Sequence, residues 1–230
     1  MTRTESLDRI VSVLVLGLAI ASFSLIAVRV YRAPVQADGV KKKSARRIDN
    51  WAAKSSMVVR PVIKQSGASV IVTVFTDFEC PFCGRMDSLL TDYGRRNPGL
   101  MQIQTVHLPL RMHANARPAS HAFECALRQG RAESFVHTLY AHQATFGSIS
   151  WDSLAAIAGV SSIESFRSCM QSTIPNEVAA GERLASELGI SVTPTIVLND
   201  WLITPADPDW VLRSIKAVSV GKQPKPLEFP

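Results

Sequence analysis

The chain has 230 residues, 47% of them hydrophobic and four of them cysteine, enough for one domain of up to ~200 residues with a sizeable core plus appendages. Its formal net charge of +6 is unevenly placed: residues 1–50 hold nine Lys/Arg against four Asp/Glu, and the other 180 hold 16 against 15. A near-neutral globular part with no basic stripe interleaved with aromatics excludes nucleic-acid binding, and an even cysteine count permits two disulfides without fixing the compartment.

From the N-terminus, Ile10 to Val28 is uncharged and apolar apart from Ser12, Gly17, Ser22 and Ser24. At ~1.5 Å per residue this run covers most of a ~30 Å hydrocarbon core. With Arg9 and Arg29 as its flanks, it predicts a transmembrane signal anchor over 10–30, after a short tail at 1–9. A cleaved signal peptide is the competing reading, with a small residue at Ala37, but the run exceeds the usual ~7–15-residue apolar region. Only Arg3 and Arg9 precede the span, whereas Arg29, Arg32, Lys41, Lys42, Lys43, Arg46 and Arg47 follow it. The positive-inside rule alone would leave the rest of the chain in the cytoplasm; long domains can translocate despite such charge, and the thiol chemistry below favours the extracytoplasmic side. Residues 31–56 read as a basic linker.

Met57–Ile63 predicts a short strand, and Pro61 places it at a sheet edge. After a turn at Gln65–Ala68 comes the β-branched run Val70-Ile71-Val72-Thr73-Val74-Phe75. It leads into Thr76-Asp77-Phe78-Glu79-Cys80-Pro81-Phe82-Cys83-Gly84, followed by a helical pattern through Met86, Leu89, Leu90 and Tyr93. Asn97-Pro98-Gly99 ends that helix near Arg96. Leu100–His107 alternates as a strand, so strand, helix and strand make a βαβ unit with a parallel pair.

No strand pattern follows for residues 115–188. Apolar spacing there gives five helices: around Ala119–Leu127, Ala132–Tyr140, Trp151–Ile157 behind a Ser150 cap, Ile163–Met170 behind a capping box at Ser161–Glu164, and Pro175–Leu188. Ile190–Ile203 returns to β signals with a turn at Asn199-Asp200. Asp207 or Pro208 starts a last helix through Trp210, Val211, Ile215 and Val218, and residues 221–230 form a loose tail.

The chemistry concentrates at Cys80 and Cys83, two cysteines where a strand gives way to a helix. A thiolate there faces unpaired N–H groups and the positive end of the helix dipole, which lowers its pKa from ~8.5 to as little as ~3.5. Cys80 is expected to be the exposed, low-pKa nucleophile and Cys83, one turn in, to resolve a mixed disulfide. Pro81 suits the first helical position. A structural disulfide or half a zinc site are the alternatives, but a zinc site wants two more ligands at local spacing, and Cys125 and Cys169 stand singly. Of the five histidines, His113 alone stands out, for its place before the helical block; capping or core hydrogen bonding is its plain explanation.

Residues 57–219 resemble the DsbA-type thiol–disulfide oxidoreductases of the thioredoxin superfamily. The likeness rests on Phe75–Cys83, on Leu108-Pro109-Leu110 with His113 and Ala116, on Glu124-Cys125-Ala126 with Gln129-Gly130, and on Leu188-Gly189-Ile190 with Thr193-Pro194-Thr195. The resemblance implies an α/β thioredoxin fold with a helical insertion between the βαβ unit and a C-terminal ββα unit, over residues 57–220 with the insert at 115–188. It implies a cis bond before Pro194, lying against the active-site cysteines, with the Thr193 backbone left to pair with an extended substrate segment; an ordinary trans proline at a strand start is the alternative. Phe82 departs from the family's pattern, since strongly oxidising members carry Pro-His where this chain has Pro81-Phe82. Phenylalanine cannot stabilise a thiolate by charge, so the direction of exchange stays open; isomerases carry a dimerisation domain that the 31–56 linker is too short to supply. Family members with cysteines at similar places imply that Cys125 and Cys169 can pair, which closes a long loop and adds ~3–4 kcal/mol; two buried apolar cysteines are the alternative.

The expected function is disulfide exchange with protein substrates through Cys80 and Cys83, supported by Pro81, Phe82, Thr193 and Pro194, with no metal or organic cofactor. A membrane redox partner would recycle the pair. The main reading is oxidation of folding substrates in the periplasm or at the cell exterior. A dedicated reductase, for instance in cytochrome assembly, and a non-catalytic adaptor are the alternatives.

Overall fold

The computed structural model describes residues 44–225. The tail at 1–9, the anchor at 10–30 and the last five residues lie outside them. Among the described residues no helix is long and apolar enough to cross a membrane.

Six strands form one sheet: β1 (Ser44–Arg47), β2 (Arg60–Ile63), β3 (Val70–Thr76), β4 (Met101–His107), β5 (Thr195–Leu198) and β6 (Trp201–Thr204), in the order β1-β6-β5-β3-β4-β2. β3 and β4 run parallel, joined by α2 (Pro81–Arg96), and the other pairs are antiparallel. β3 is central and almost wholly buried, which is why its sequence is a continuous β-branched run rather than an alternation. β2 takes the far edge, where Pro61 costs no ladder bond. The turn after β5 uses Asn199 at φ 55°, a left-handed position that asparagine tolerates.

The basic linker expected over 31–56 is corrected for its second half, from Ser44 on. Ser44–Arg47 pairs along β6, and α1 (Trp51–Ser55) follows. Arg47 Nε donates to Asp200 Oδ2 at 2.6 Å, and the buried Trp51 ring sits 6.2 Å from that of Phe75. Main-chain pairing at an open sheet edge needs no apolar alternation, so Ser44-Ala45-Arg46-Arg47 carried no strand signal.

The insert holds the five expected helices: α3 (Ala116–Leu127), α4 (Ala132–Ala141), α5 (Trp151–Ile157), α6 (Ile163–Met170) and α7 (Asn176–Glu187). The capping box read at Ser161–Glu164 is replaced by a different arrangement. Ser162 caps α6 by accepting from Ser165 N–H, while its own N–H donates to Gln129 Oε1 at 2.9 Å. Cys125 on α3 and Cys169 on α6 form a disulfide with a Cα–Cα distance of 5.8 Å, inside a core of Phe78, Phe123, Phe135, Leu139, Leu154 and Phe166. α8 (Pro208–Ser219) starts on an Asp207 cap and covers one sheet face with α2; α1 and α7 cover the other. The loose tail is corrected at its start: Trp210 Nε1 donates to the Lys225 carbonyl at 2.8 Å. α7 lies so close to β4 that a Cβ on Gly181 would fall 2.4 Å from the His107 carbonyl oxygen, so only glycine fits there.

Candidate active site

Cys80 is the N-cap of α2, in extended conformation, and Pro81 occupies the first helical turn. The Cys80 carbonyl accepts from Cys83 N–H at 3.0 Å and from Gly84 N–H at 3.3 Å. Gln143 Nε2, from the turn after α4, donates to the carbonyls of both Phe78 and Cys80, at 2.8 and 2.9 Å. Gly84 leaves room for it, since a Cβ would come within 3.1 Å of Gln143 Oε1. Thr193-Pro194 is cis, and the Thr193 carbonyl lies 3.6 Å from Cys80 Sγ. The structure therefore brings Cys80, Pro81 and Cys83, at the start of α2, together with Thr193 and Pro194 in the segment before β5; Cys80 and Thr193 lie 113 residues apart in sequence. Thr204-Pro205, at the far end of β6, is also cis.

Cys80 differs from expectation in one respect. It is 4% exposed rather than open to solvent, because the Thr193 segment lies over it; Phe82 is the exposed residue, at 61%. The guanidinium of Arg85 stands 4.3 Å from the Phe82 ring centroid, so a cation sits near the motif although the dipeptide carries none.

The two thiols are driven apart. A hydrogen bond from the Cys83 thiol, followed by the Thr193 side chain and the Cys83 and Phe82 backbone, outweighs burial and lowers Cys80 to a pKa of about 5. The Thr193 hydroxyl is buried beside it and has no hydrogen-bond partner among the described residues. Burial, reinforced by the hydrogen bond to Cys80, pushes Cys83 far above its ordinary value. Cys83 is 1% exposed and lines a cavity of about 20 Å³ with Thr76, Asp87 and Tyr140. That is room for a single water among polar partners. Asp87, one turn after Cys83, pairs with His137 Nδ1 at 3.1 Å, and the hydrogen bond raises the His137 pKa. Thr76 Oγ1 and the Tyr140 hydroxyl are 2.6 Å apart.

The residues before Cys80 are pinned by the loop after β4. Asp77, fully buried, accepts from Glu79 N–H, Leu110 N–H and His113 Nδ1 at 2.8, 2.8 and 2.7 Å. Glu79 accepts from the backbone and side chain of Asn115 at 2.6 and 2.9 Å. Burial works against the charged form of His113, but Asp77, the Cys80 thiolate and Glu79 raise its pKa overall. Beneath them lies a buried ionic chain. Glu124 Oε1 accepts from Arg60 Nε at 2.9 Å and lies 2.7 Å from His107 Nε2; these partners outweigh burial and hold its pKa down. Asp77, Glu79, Asn115, Tyr140 and Gln143 were not singled out from sequence. Asp77 and Glu79, acids at a strand's end in an apolar run, were the one available signal.

Among the described residues, the group that could in principle ligate a metal is His121, Cys125 and Cys169, and the disulfide engages both of its sulfurs.

The fold is shared with several solved structures. BdbD from Bacillus subtilis, in its oxidised form, superposes with a TM-score of 0.62 at 21% identity, covering 73% of this chain and 95% of that one. ScsC from Proteus mirabilis gives 0.59 at 19%, covering 94% and 96%. A periplasmic thioredoxin-like protein from Salmonella enterica serovar Typhimurium gives 0.60 at 16%, covering 76% and 100%. Curated relatives include the Na(+)/H(+) antiporter NhaA 1 of Mycolicibacterium gilvum, 28% identical over 138 residues. That match takes in 57% of this chain and only 22% of the antiporter. Residues 57–217 match the family model described as thioredoxin, and with the sheet order, the helix-start cysteines and the cis proline facing them, the chain belongs to the thioredoxin family.

Proposed function

We propose that the protein is a DsbA-type thiol–disulfide oxidoreductase that oxidises thiols of protein substrates through Cys80 and Cys83. The observation that carries this reading is the contrast between the two thiols. A substrate thiolate attacks Cys80 Sγ of the Cys80–Cys83 disulfide, the bond between them breaks, and Cys83 leaves and takes up a proton. The substrate's second thiolate then attacks its own sulfur in the mixed disulfide and expels Cys80. The substrate has lost two electrons, and the pair has gained them. A low-pKa thiol is the better leaving group, which suits Cys80 to this last step. A stabilised Cys80 thiolate also stabilises the reduced pair, as in strong oxidants.

Asp87 supplies the proton route. The cavity it shares with Cys83 has room for one water to link the carboxylate to the buried sulfur, and His137 links Asp87 outward. In the reverse direction the same route removes the Cys83 proton before it attacks a mixed disulfide. Thr193 and Pro194 present backbone to an extended substrate segment, and Pro81 and Phe82 shape the approach to Cys80. A membrane redox partner reoxidises the pair. We place the domain on the extracytoplasmic side, tethered through 10–30; the fold shared with a periplasmic thioredoxin-like protein and the Cys125–Cys169 disulfide support that side.

The reduction potential of the Cys80–Cys83 pair, titrated in glutathione buffers, tests the direction. The expected value lies toward the ~−120 mV of strong oxidants. A value near the thioredoxin-like ~−270 mV makes the protein a reductase, and a pair that does not exchange at all makes it an adaptor.

A further inference from the structure

We propose that the groove between residues 109–117 and α7 binds an acidic segment of the protein substrate, next to its reacting cysteine. This rests on the exchange reading and adds a substrate class to it.

The groove encloses about 780 Å³ and is lined by Arg111, His113, Arg117, Glu182, Arg183 and smaller residues. Its charges are lopsided. Glu182 is the only acid of the lining, and Arg117 already engages it. His113 is held on Asp77 at 2.7 Å with its charged form favoured. Arg111 and Arg183 are exposed, and neither has an acidic partner among the described residues. Residues 51–230 are close to neutral, so this groove does not merely mirror a basic domain.

Position ties the groove to the cysteines. One wall, through Leu110, His113 and Asn115, holds Asp77 and Glu79, the residues just before Cys80. The other wall, α7, runs through residues 188–192 into Thr193, whose carbonyl meets Cys80 Sγ. Both walls of the groove thus connect directly to the segments that hold Cys80, and on this proposal the substrate chain extends from its paired cysteine along them. The exposed apolar side chains Phe82, Met112 and Val192 flank the same loops and offer contact for uncharged residues beside the substrate cysteine.

Carboxylates meet guanidinium groups in good hydrogen-bonding geometry, and unpaired arginines in a concave site raise the local concentration of acidic segments. Charges of this exposed kind act chiefly on the association rate and are screened by salt.

The test compares two dithiol peptides, identical except that one carries three aspartates beside its cysteines and the other three lysines. Both are oxidised by the full chain in its disulfide form, with dithiothreitol as a neutral control substrate. The acidic peptide should react about tenfold faster at low salt, from a few-fold per exposed charge, and the advantage should vanish near ~1 M salt. R111E combined with R183E should reverse the preference, R111Q with R183Q should remove it, and both should leave the dithiothreitol rate unchanged. Equal peptide rates with normal dithiothreitol oxidation overturn the acidic-segment proposal alone, as does an acidic preference that survives both double variants. Failure to oxidise dithiothreitol takes the exchange reading down with it.

Discussion

Cys80–Cys83 and Cys125–Cys169 are two cysteine pairs of one chain in opposite surroundings. The first stands at the start of α2, beneath a cis proline, with donors converging on one sulfur and burial closing on the other. The second joins α3 to α6 within the insert's apolar core, 44 residues apart in sequence. Cysteine is common to both; the difference lies in which charge state the surroundings stabilise. At the helix start the surroundings favour a thiolate on Cys80, which is the basis of the exchange proposed for that pair. In the insert Cys125 is buried and Cys169 half-buried beside Arg128, and the two sulfurs are joined to each other, so that pair ties α3 to α6.

The comparison breaks most sharply on removal of each pair. C80S should abolish exchange with any dithiol. C125A combined with C169A should leave exchange intact while lowering stability by about 3–4 kcal/mol on the loop-entropy model, read from denaturant unfolding. Loss of exchange in the folded insert variant, or its retention in C80S, would erase the distinction.

A titration sharpens it next. The rate of Cys80 alkylation should follow a midpoint near the lowered pKa of about 5 rather than the ordinary 9.0. Because the folded pKa is depressed, the thiolate's contribution to the stability of the reduced form is complete above 9.0 and is lost as pH falls through about 5. The reduced protein and C80S should therefore converge in stability below that pH, whereas the insert disulfide, which does not titrate, should contribute equally across the range. A midpoint of 8–9 would mean that Cys80 is no better prepared than a free cysteine.

The smallest effect belongs to the proton route. D87N should slow attack of Cys83 on a mixed disulfide about 100-fold, at the low end of general-base effects. It should leave the Cys80 alkylation midpoint in place. An unchanged resolution rate, or a moved Cys80 midpoint, would take Asp87 out of that role.

Much of this was legible in the sequence because it is written in short-range patterns. The buried run Val70–Phe75, the glycine and proline stops, the Ser150 and Asp207 caps and the C-x-x-C at a strand–helix junction each depend on a few neighbouring residues. β1 and α1 were illegible: an edge strand is made by main-chain pairing to β6, and a single Trp51 is no periodicity. The buried polar groups failed for a related reason. Asp77 is tolerable because Leu110 and His113, more than 30 residues on, supply donors. Glu124 is tolerable because Arg60 and His107 do so from two strands; in sequence both are simply acids.

By itself, the sequence determined the element types from residue 57 on, the βαβ unit with its helical insertion, and the presence of a helix-start cysteine pair, because local backbone preference and apolar periodicity decide those. Only the tertiary structure decided that Thr193 closes over Cys80 and that Cys83 shares its cavity with Asp87. It alone decided that Arg111 and Arg183, from distant segments and without an acidic partner among the described residues, line one groove. Those relations are set by which surfaces the packed sheet and helices bring within a few ångströms, and separation along the chain carries no record of them.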